Sequence, residues 1–223
     1  MKLVLLDCDG TLVDSQQAIV TAMTSAWLAA GLPAPDPLAV RRLVSLPLTE
    51  AIALLRPGSE DWFVKRLAGL YRDAYYRQRH HDGQEAEPLF PGVHEALVAM
   101  RASGLGLGIA TGKSFRGLLA VLERHGLGEV FLTLQTADRG LGKPNPDMVF
   151  QAQEETRAAA ADTVVVGDST FDMEMACRAG VRAVGVAWGY HPVRDLESAG
   201  ARRIVHHWED LPRVVLDVMD GDR

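Results

Sequence analysis

The sequence predicts an α/β fold, in which a three-layer core built on a parallel sheet carries a small all-helical insert after its first strand. Short apolar runs alternate with stretches that have the apolar spacing of helices, a pattern typical of a parallel sheet covered by helices on both faces. From about residue 14 to residue 86 the pattern indicates helices and no strand. We therefore expect a core at 1–13 and 88–223 and a helical insert at about 14–87.

The strands of the core are predicted from continuous apolar runs, each followed by small or polar residues. The runs are residues 3–6, 105–110, 163–166 and 183–186, with weaker candidates at 131–134 and 203–205. Continuous runs, as opposed to alternating ones, are expected for strands that are buried on both faces of a parallel sheet.

Helices are predicted where apolar residues recur at a spacing of three or four and a glycine or proline marks the boundary. In the insert, Asp14 is expected to cap a helix over 14–30, Asp36 to cap another that begins with Pro37, and 60–79 to form a long amphipathic helix. The core helices are expected at 93–103, 116–125, 148–160 and 172–179.

Composition excludes several classes of function. A formal net charge of −6 argues against binding to nucleic acid or to an anionic membrane surface. We find no run of about 18 apolar residues that would span a membrane, and the first apolar run is too short for a signal peptide. Cys8 and Cys177 form no CxxC pair, so we expect a reducing, cytoplasmic setting. The sequence does not indicate an oligomeric state.

Two carboxylates follow the first predicted strand. Asp7 and Asp9 are two residues apart, so on an extended chain both side chains point to the same side. Ligand sites of open parallel sheets lie at the carboxyl ends of the strands, which is where these two acids are placed. The pair alone also fits a solvated turn. A calcium-binding EF-hand loop is excluded because Gly10 falls at position 4 and not at position 6.

Polar residues also follow other predicted strands. Thr111 and Gly112 end the second strand, Lys143 lies in a later loop, and Asp168 and Asp172 follow the strand at 163–166. Singly, each has a simpler explanation: a helix cap for Thr111, a surface position for Lys143, a turn or a helix terminus for the two acids. Together, at the same edge of one sheet, they predict a common site.

The segment DCDGTLVDS at residues 7–15, with these three later elements, resembles the four motifs of the haloacid dehalogenase-like phosphatases. The helical insert resembles the cap domain of that family, and residues 89–172 are similar to its phosphoglycolate-phosphatase-like branch. The resemblance covers nearly the whole chain. It implies a Mg²⁺-dependent phosphatase that hydrolyses a small phosphorylated metabolite, phosphoglycolate-like or a sugar phosphate, through an aspartyl phosphate.

The resemblance also implies roles for single residues. Asp7 would be the nucleophile, and Asp9 would protonate the leaving oxygen and later activate water. Thr111 and Gly112 would bind phosphoryl oxygens, and Lys143 would neutralise charge between the phosphate and Asp7. The cluster of carboxylates needs this positive charge, because otherwise its members would repel one another and an anionic substrate.

The metal ligands are likewise implied by the resemblance. Asp7 and Asp168 would bind Mg²⁺ through their carboxylates, and Asp9 would bind it through its main-chain carbonyl. Asp172 would hold the metal's waters or Lys143.

Substrate choice is expected in the insert, whose loops would close over the leaving group. The candidates are Arg41 and Arg42, the loop at 45–49, and Lys113 next to the phosphate loop. A solvated helix face is the alternative for the two arginines. The family more often has Asn after the threonine, where this chain has Gly112, which loosens the link to phosphoglycolate.

Other functions remain open at this point. A β-phosphoglucomutase-like phosphomutase and an inorganic pyrophosphatase would share the core chemistry, and a catalytically silent binding or regulatory module would share the fold. The acid at Asp9 argues against a dehalogenase, and Thr11 fits the phosphatase form of the first motif.

Overall fold

A six-stranded parallel sheet lies at the centre of the computed structural model, which describes residues 1–81 and 87–221. The strand order is β3-β2-β1-β4-β5-β6. The strands are β1 (Leu3–Leu6), β2 (Gly106–Thr111), β3 (Thr133–Thr136), β4 (Thr163–Gly167), β5 (Arg182–Val186) and β6 (Arg203–Val205). Leu6 pairs with Ile109 of β2 on one side and with Val166 of β4 on the other, so these three strands end level with one another.

Four helices follow β1 and pack on one another. They are α1 (Gln16–Ala29), α2 (Pro37–Arg41), α3 (Leu48–Leu55) and α4 (Asp61–His81). Apolar residues from all four, such as Met23, Val40, Ile52 and Leu67, form a hydrophobic cluster separate from those that contact the sheet. The bounds of the insert, 14–87, remain a prediction, and residues 82–86 within it lie outside the described residues.

The chain enters and leaves this helical segment at neighbouring points. The backbone N–H of Asp14 donates to the carbonyl of Pro88 (2.8 Å), and the N–H of Phe90 donates to the carbonyl of Leu12 (3.0 Å). The two crossing segments are therefore hydrogen-bonded to each other like a short antiparallel pair. We call this pair, residues 12–14 and 88–90, the neck.

Helices cover both faces of the sheet. The later helices are α5 (Val93–Ala102), α6 (Phe115–Arg124), α7 (Asp147–Thr156), α8 (Thr170–Arg178), α9 (Val193–Ser198) and α10 (Leu211–Asp220). Val4 and Leu6 point to the face covered by α5, α6 and α10, whereas Leu3 and Leu5 point to the face covered by α7, α8 and α9. The alternation of side chains along a strand thus fills two cores and confirms the three-layer α/β fold.

Some predicted boundaries are wrong. Ser15 and not Asp14 precedes α1, and its hydroxyl does not cap the helix because it is directed towards Asp9. Helix α7 ends at Thr156, four residues before the predicted end, because Arg157 adopts a left-handed conformation with φ 57°. Helices α3, α9 and α10 were not predicted. The Asp36 cap is confirmed: its side chain accepts from the N–H of Leu38 (3.1 Å).

None of the described helices is both long and apolar enough to cross a lipid bilayer.

Candidate active site

The carboxyl ends of β1 and β4 place Asp7 and Asp168 side by side. The N–H of Asp7 donates to the carbonyl of Val166 (2.9 Å), which continues the pairing of the two strands by one residue. Both acids are almost fully buried, at 1% and 0% exposure. Ionised carboxylates are rarely buried unless cations or hydrogen-bond donors compensate them. The groups that contact each carboxylate therefore indicate the role of that carboxylate in the site.

Asp7 has a donor or a cation on each oxygen. Its Oδ1 accepts from the N–H of Cys8 (2.6 Å) and lies 2.9 Å from Nζ of Lys143. Its Oδ2 accepts from the hydroxyl of Ser45, in the loop between α2 and α3, at 3.0 Å. Cys8 itself points away into the hydrophobic core. The carboxylate is thus fixed in orientation, with one contact coming from the helical insert.

Lys143 is fully buried, so the alternative of a surface lysine is excluded. Its Nζ lies 2.9 Å from Asp7 and 2.6 Å from Asp172. Burial lowers the pKa of this ammonium, but the nearby Asp172 and Asp7 raise it more, and the net pKa lies above its ordinary value. Lys143 therefore supplies a permanent positive charge beneath Asp7.

Asp172 is held at the first turn of α8 by a capping box. Its Oδ2 accepts from the N–H (3.1 Å) and the hydroxyl (2.6 Å) of Ser169, while its other oxygen faces Lys143. The last residue of β4 is Gly167, where a Cβ would stand 2.2 Å from Cγ of Asp172. A glycine is therefore required for this carboxylate to reach the end of the sheet.

Asp168 is oriented by two donors. Its Oδ1 accepts from the hydroxyl of Thr11 (3.0 Å), and its Oδ2 accepts from the N–H of Tyr190 (2.9 Å). Two glycines make room for it. A Cβ on Gly10, which has φ 83°, would lie 2.3 Å from Oδ2, and a Cβ on Gly189 would lie 2.0 Å from Cβ of Asp168. The DxDGT segment therefore accommodates Asp168 in two ways: Thr11 donates a hydrogen bond to it, and Gly10 leaves space for its carboxylate.

Asp7, Asp168 and Asp172 form a buried cluster that fits a divalent cation. Each offers a carboxylate oxygen, and these oxygens lie within 4.8 Å of one another. Burial, more than any neighbour, raises the pKa of Asp7 to about 6 and raises that of Asp168 well above its ordinary value. Three carboxylates face a single ammonium in the cluster, so a hard dication with oxygen ligands would balance the charge.

The carboxylate of Asp9 lies outside this cluster. Its Oδ1 accepts from the hydroxyl of Ser15 (2.5 Å) and lies 3.0 Å from Nζ of Lys113. A contribution of Asp9 to the metal through its main-chain carbonyl stays a prediction. Asp7 and Asp9 thus differ in surroundings: the first faces the acidic cluster, the second faces Lys113 and a cavity.

Lys113, one of the candidate substrate contacts, binds two carboxylates, and its partners Glu87 and Tyr75 were not predicted from the sequence. Its Nζ lies 2.9 Å from Oε1 of Glu87 and 3.3 Å from the hydroxyl of Tyr75, in addition to Asp9. Tyr75 also donates to Glu87 (2.5 Å). Burial lowers the pKa of Lys113, but Asp9, Tyr75 and Glu87 raise it well above its ordinary value. Lys113 therefore links Asp9 of the core to Tyr75 of the helical insert and to Glu87, next to the neck. A contact of Lys113 with the substrate stays a prediction.

Thr111 and Gly112 lie at the end of β2, next to β1. The hydroxyl of Thr111 accepts from the N–H of Lys113 (3.2 Å), which orients the loop. A Cβ on Gly112 would lie 2.6 Å from the carbonyl oxygen of Ser45 and 2.9 Å from that of Leu46. The loop of the insert therefore rests directly on the backbone of this motif.

Arg41 and Arg42 lie elsewhere. The main-chain carbonyl of Arg42 accepts from the ring of His191 (3.0 Å), and the guanidinium of Arg41 contacts the side-chain amide of Gln16. Neither side chain lines the cavity of about 870 Å³ between the helical insert and the core, whereas Asp9 and Lys113 do. Their role as substrate contacts stays a prediction that this arrangement does not support.

Sequence comparison identifies relatives along nearly the whole chain. A profile of the haloacid dehalogenase-like hydrolases matches residues 4–186. A protein of Dickeya dadantii named "Probable phosphatase IndB" is 36% identical over 211 residues, covering 94% of this chain and 91% of that protein. The phosphoglycolate phosphatase of Synechococcus elongatus is 31% identical over 220 residues, covering 98% and 99%.

Solved structures agree with the fold. A hydrolase from Pseudomonas syringae superposes with a TM-score of 0.86 at 26% identity, covering 98% of this chain and 99% of that one. A protein from Clostridium acetobutylicum has the same TM-score at 23% identity and covers 97% and 98%, which shows the shared fold. From the profile match and the sequence relatives together, the chain belongs to the haloacid dehalogenase-like hydrolase family.

Proposed function

We propose that this chain is a Mg²⁺-dependent phosphatase that hydrolyses a small phosphomonoester through an aspartyl phosphate on Asp7. The observation that carries the proposal is that two neighbouring acids, Asp7 and Asp9, have different surroundings. Asp7 is fixed by Lys143 and Ser45 beside two more buried carboxylates, whereas Asp9 faces the cavity. The relatives named as phosphatases support the same reaction class.

In the first step, a carboxylate oxygen of Asp7 attacks phosphorus and the bond to the leaving oxygen breaks. A carboxylate is a weak nucleophile, so the acceleration must come from alignment and from neutralised charge. The contact of Lys143 with Asp7 at 2.9 Å supplies part of both. The hydroxyl of Thr111 and the N–H of Gly112 are proposed to bind the phosphoryl oxygens.

Asp9 is proposed to give a proton to the leaving oxygen and later to take one from the attacking water. Its carboxylate lines the cavity, on the side where a leaving group would lie. The hydroxyl of Ser15 and the ammonium of Lys113 hold it there. Hydrolysis of the aspartyl phosphate then restores the carboxylate of Asp7 and releases inorganic phosphate.

Asp7 and Asp168 would hold the metal ion, with Asp172 beside them. When bound, Mg²⁺ would supply positive charge to the phosphoryl group and help to align it with Asp7. The chain's own part is to keep these carboxylates oriented, through Thr11 and Ser169, with Lys143 offsetting part of their repulsion.

The helical insert, at about 14–87, is proposed to act as a cap that excludes water. Its loop between α2 and α3 reaches into the site, where the hydroxyl of Ser45 contacts Asp7. Pro47 of the same loop packs against Gly142: a Cβ added to Gly142 would lie 2.2 Å from Cγ of Pro47. A site closed in this way would shield the aspartyl phosphate from bulk water and hold the leaving group next to Asp9, which then activates a single attacking water.

The test is phosphate release from a panel of phosphomonoesters and pyrophosphate, with Mg²⁺ or with chelator, by wild type and by Asp7→Asn. Release that needs both the metal and Asp7 is expected, as is a trapped, acid-stable phosphorylated protein in wild type only. Undiminished release by Asp7→Asn contradicts the assignment of the nucleophile. Product analysis separates the remaining reactions, because a phosphomutase would yield an isomeric sugar phosphate and a pyrophosphatase would prefer pyrophosphate.

A further inference from the structure

We propose that the leaving group of the physiological substrate carries a sizeable apolar body, larger than glycolate, which packs against the helical insert. This inference rests on the proposed phosphatase function and specifies the substrate class of that site. It is drawn from the cavity between the insert and the core, from the way its two walls differ, and from the cations next to Asp9.

The cavity has an apolar wall. Its insert side is lined mainly by apolar side chains from all four helices and from the loop that joins α2 to α3, among them Met23, Val40, Val44, Leu48, Leu55 and Tyr71. Arg72 and Asp73 of α4 are the charged side chains among the described residues on that side. Several of the apolar side chains belong to the hydrophobic cluster of the insert, so that cluster is open to the cavity and not closed on itself. An apolar ligand there would remove this surface from water, which favours binding.

The cavity also lies on the leaving-group side of the site. Asp9, the proposed acid, is one of its lining residues, whereas Asp7, Asp168 and Asp172 are not. A phosphoryl group on Asp7 would therefore direct its ester oxygen towards Asp9 and the rest of the molecule into this space. The wall opposite Asp9 would then contact the leaving group and not the phosphate.

The size of the cavity does not match a very small leaving group. Its volume is about 870 Å³, within the range of roughly 300–1,000 Å³ that encloses drug-sized ligands. Glycolate would occupy a small fraction of it and would leave the apolar wall in contact with water. The geometry therefore favours a leaving group that extends from Asp9 as far as the helices of the insert.

The cations on the core side are already engaged. Lys113, the one next to Asp9, is bound to the carboxylates of Asp9 and Glu87. Arg124 lies 3.6 Å from Glu87, and Arg116 stacks over the ring of Tyr76. A carboxylate placed beside the leaving oxygen would add a third negative charge around Lys113. An uncharged apolar body avoids this repulsion.

The experiment uses primary alkyl phosphates of increasing length, from ethyl to hexyl phosphate, together with 2-phosphoglycolate. The leaving alcohols have similar chemistry, so differences in kcat/KM report on the cavity. We expect kcat/KM to rise about fourfold for each added methylene, the ratio that corresponds to about 0.8 kcal/mol per buried CH₂. We expect 2-phosphoglycolate to be a poorer substrate than hexyl phosphate.

A matched pair of variants locates the effect. Ala51 of α3 lines the cavity, whereas Ala53 of the same helix is exposed and does not. Ala51→Phe is expected to lower the ratio of hexyl to ethyl phosphate turnover at least tenfold, whereas Ala53→Phe should leave it unchanged. Ala120→Phe, which fills the cavity from the core side, serves the same purpose if Ala51→Phe does not fold.

The outcomes separate this inference from the proposed function. Asp7-dependent turnover of ethyl phosphate and 2-phosphoglycolate without any gain on lengthening the chain overturns the apolar leaving group and leaves the phosphatase standing. Equal loss in Ala51→Phe and Ala53→Phe overturns the location. If no compound of the series releases phosphate in an Asp7-dependent way, both proposals fail.

Discussion

The hydroxyl of Ser45, from the helical insert, donates a hydrogen bond of 3.0 Å to Oδ2 of Asp7, the proposed nucleophile in the core. A hydrogen bond to a charged group contributes about 1.5–3 kcal/mol, and this one is buried. Ser45→Ala is therefore expected to lower kcat about tenfold or more, because Oδ2 loses its orienting donor. Steady-state kinetics with a saturating aryl phosphate measures the change.

Ser25→Ala is the matched control, since Ser25 also lies in the insert and its hydroxyl only donates to the carbonyl of Thr21 (2.8 Å). That variant should keep wild-type kcat. An unchanged kcat in Ser45→Ala would show that the contact between the insert and Asp7 has no part in turnover.

At Gly112 the insert contacts the backbone that follows the end of β2. A Cβ there would lie 2.6 Å from the carbonyl oxygen of Ser45, and backbone cannot move aside as a flexible side chain does. Gly112→Ala is therefore expected to displace the loop and lower kcat/KM at least tenfold, with little change in Tm. Gly128→Ala, at a position with nothing within 4 Å of the added carbon, should behave like wild type. Equal kinetics in the two variants would contradict this fit.

Lys113 is expected to contribute to stability through the two carboxylates that it binds. Its side chain is 8% exposed, that of Asp9 9% and that of Glu87 0%. Among the described residues, Lys113→Met removes the only cation in contact with Asp9, and it also removes the ammonium 2.9 Å from the buried carboxylate of Glu87. We expect the free energy of unfolding to fall by about 3–5 kcal/mol, measured by urea denaturation.

Two further variants test this assignment. Lys65→Met, at an exposed lysine of α4, should change the free energy of unfolding by less than about 0.5 kcal/mol. The double variant Lys113→Met with Glu87→Gln should recover part of the loss, because one of the two carboxylates that Lys113 contacts no longer carries a charge. Additive losses in the double variant would show that the pair does not interact.

The stability of the metal-free protein is expected to depend on pH through Asp7. Burial raises its pKa from 3.8 to about 6 in the folded protein, so the folded state binds this proton more tightly than the unfolded state. The resulting stabilisation is complete below pH 3.8 and is lost as the pH rises through 6. Asp7→Asn, which carries no charge, should therefore be more stable than wild type above pH 6, by at most roughly 3 kcal/mol.

Denaturation of both proteins in chelator, between pH 4 and pH 8, measures the difference. It should shrink towards pH 4, where Asp7 is protonated. Saturating Mg²⁺ should raise the Tm of wild type more than that of Asp7→Asn, and this gain should fall below pH 6, where the proton competes with the metal. A stability difference that does not vary with pH would contradict a pKa of Asp7 that burial raises in the folded protein.

The fold was predictable because the central strands, such as β1 and β4, are continuous apolar runs and because these runs alternate with stretches of helical spacing. Strand β3 was displaced by two residues, since Thr133 and Gln135 are buried polar residues that break the apolar pattern. The acids and Lys143 were predictable from their motifs. Glu87 and Tyr75 were not predictable. Glu87 lies in a polar linker and Tyr75 in an aromatic-rich helix, and nothing in either local sequence indicates that the two side chains are buried against each other.

Substrate contacts were the least predictable part, for a geometrical reason. The sequence places the charges of Arg41 and Arg42 near the site, but the direction of a side chain at the end of a short helix such as α2 depends on how that helix packs. The sequence also points to the loop at 45–49, and there the structure brings Ser45 to Asp7. Spacing along the chain gives the positions near the site; which side chains face it depends on contacts between distant segments.

Because of the neck, the connection of the helical insert to the core does not depend on the length of the insert. Because residues 12–14 and 88–90 are hydrogen-bonded to each other, the ends of the insert are already joined at the rim of the core. A tight turn closing this pair would complete the core chain without altering any strand register, and an insert of another length would meet the same two ends. Such an exchange of inserts would change the selectivity for the leaving group of the substrate and would leave Asp7, Lys143 and Asp168 in place. The core is therefore suited to chimeric proteins that carry the insert of a relative.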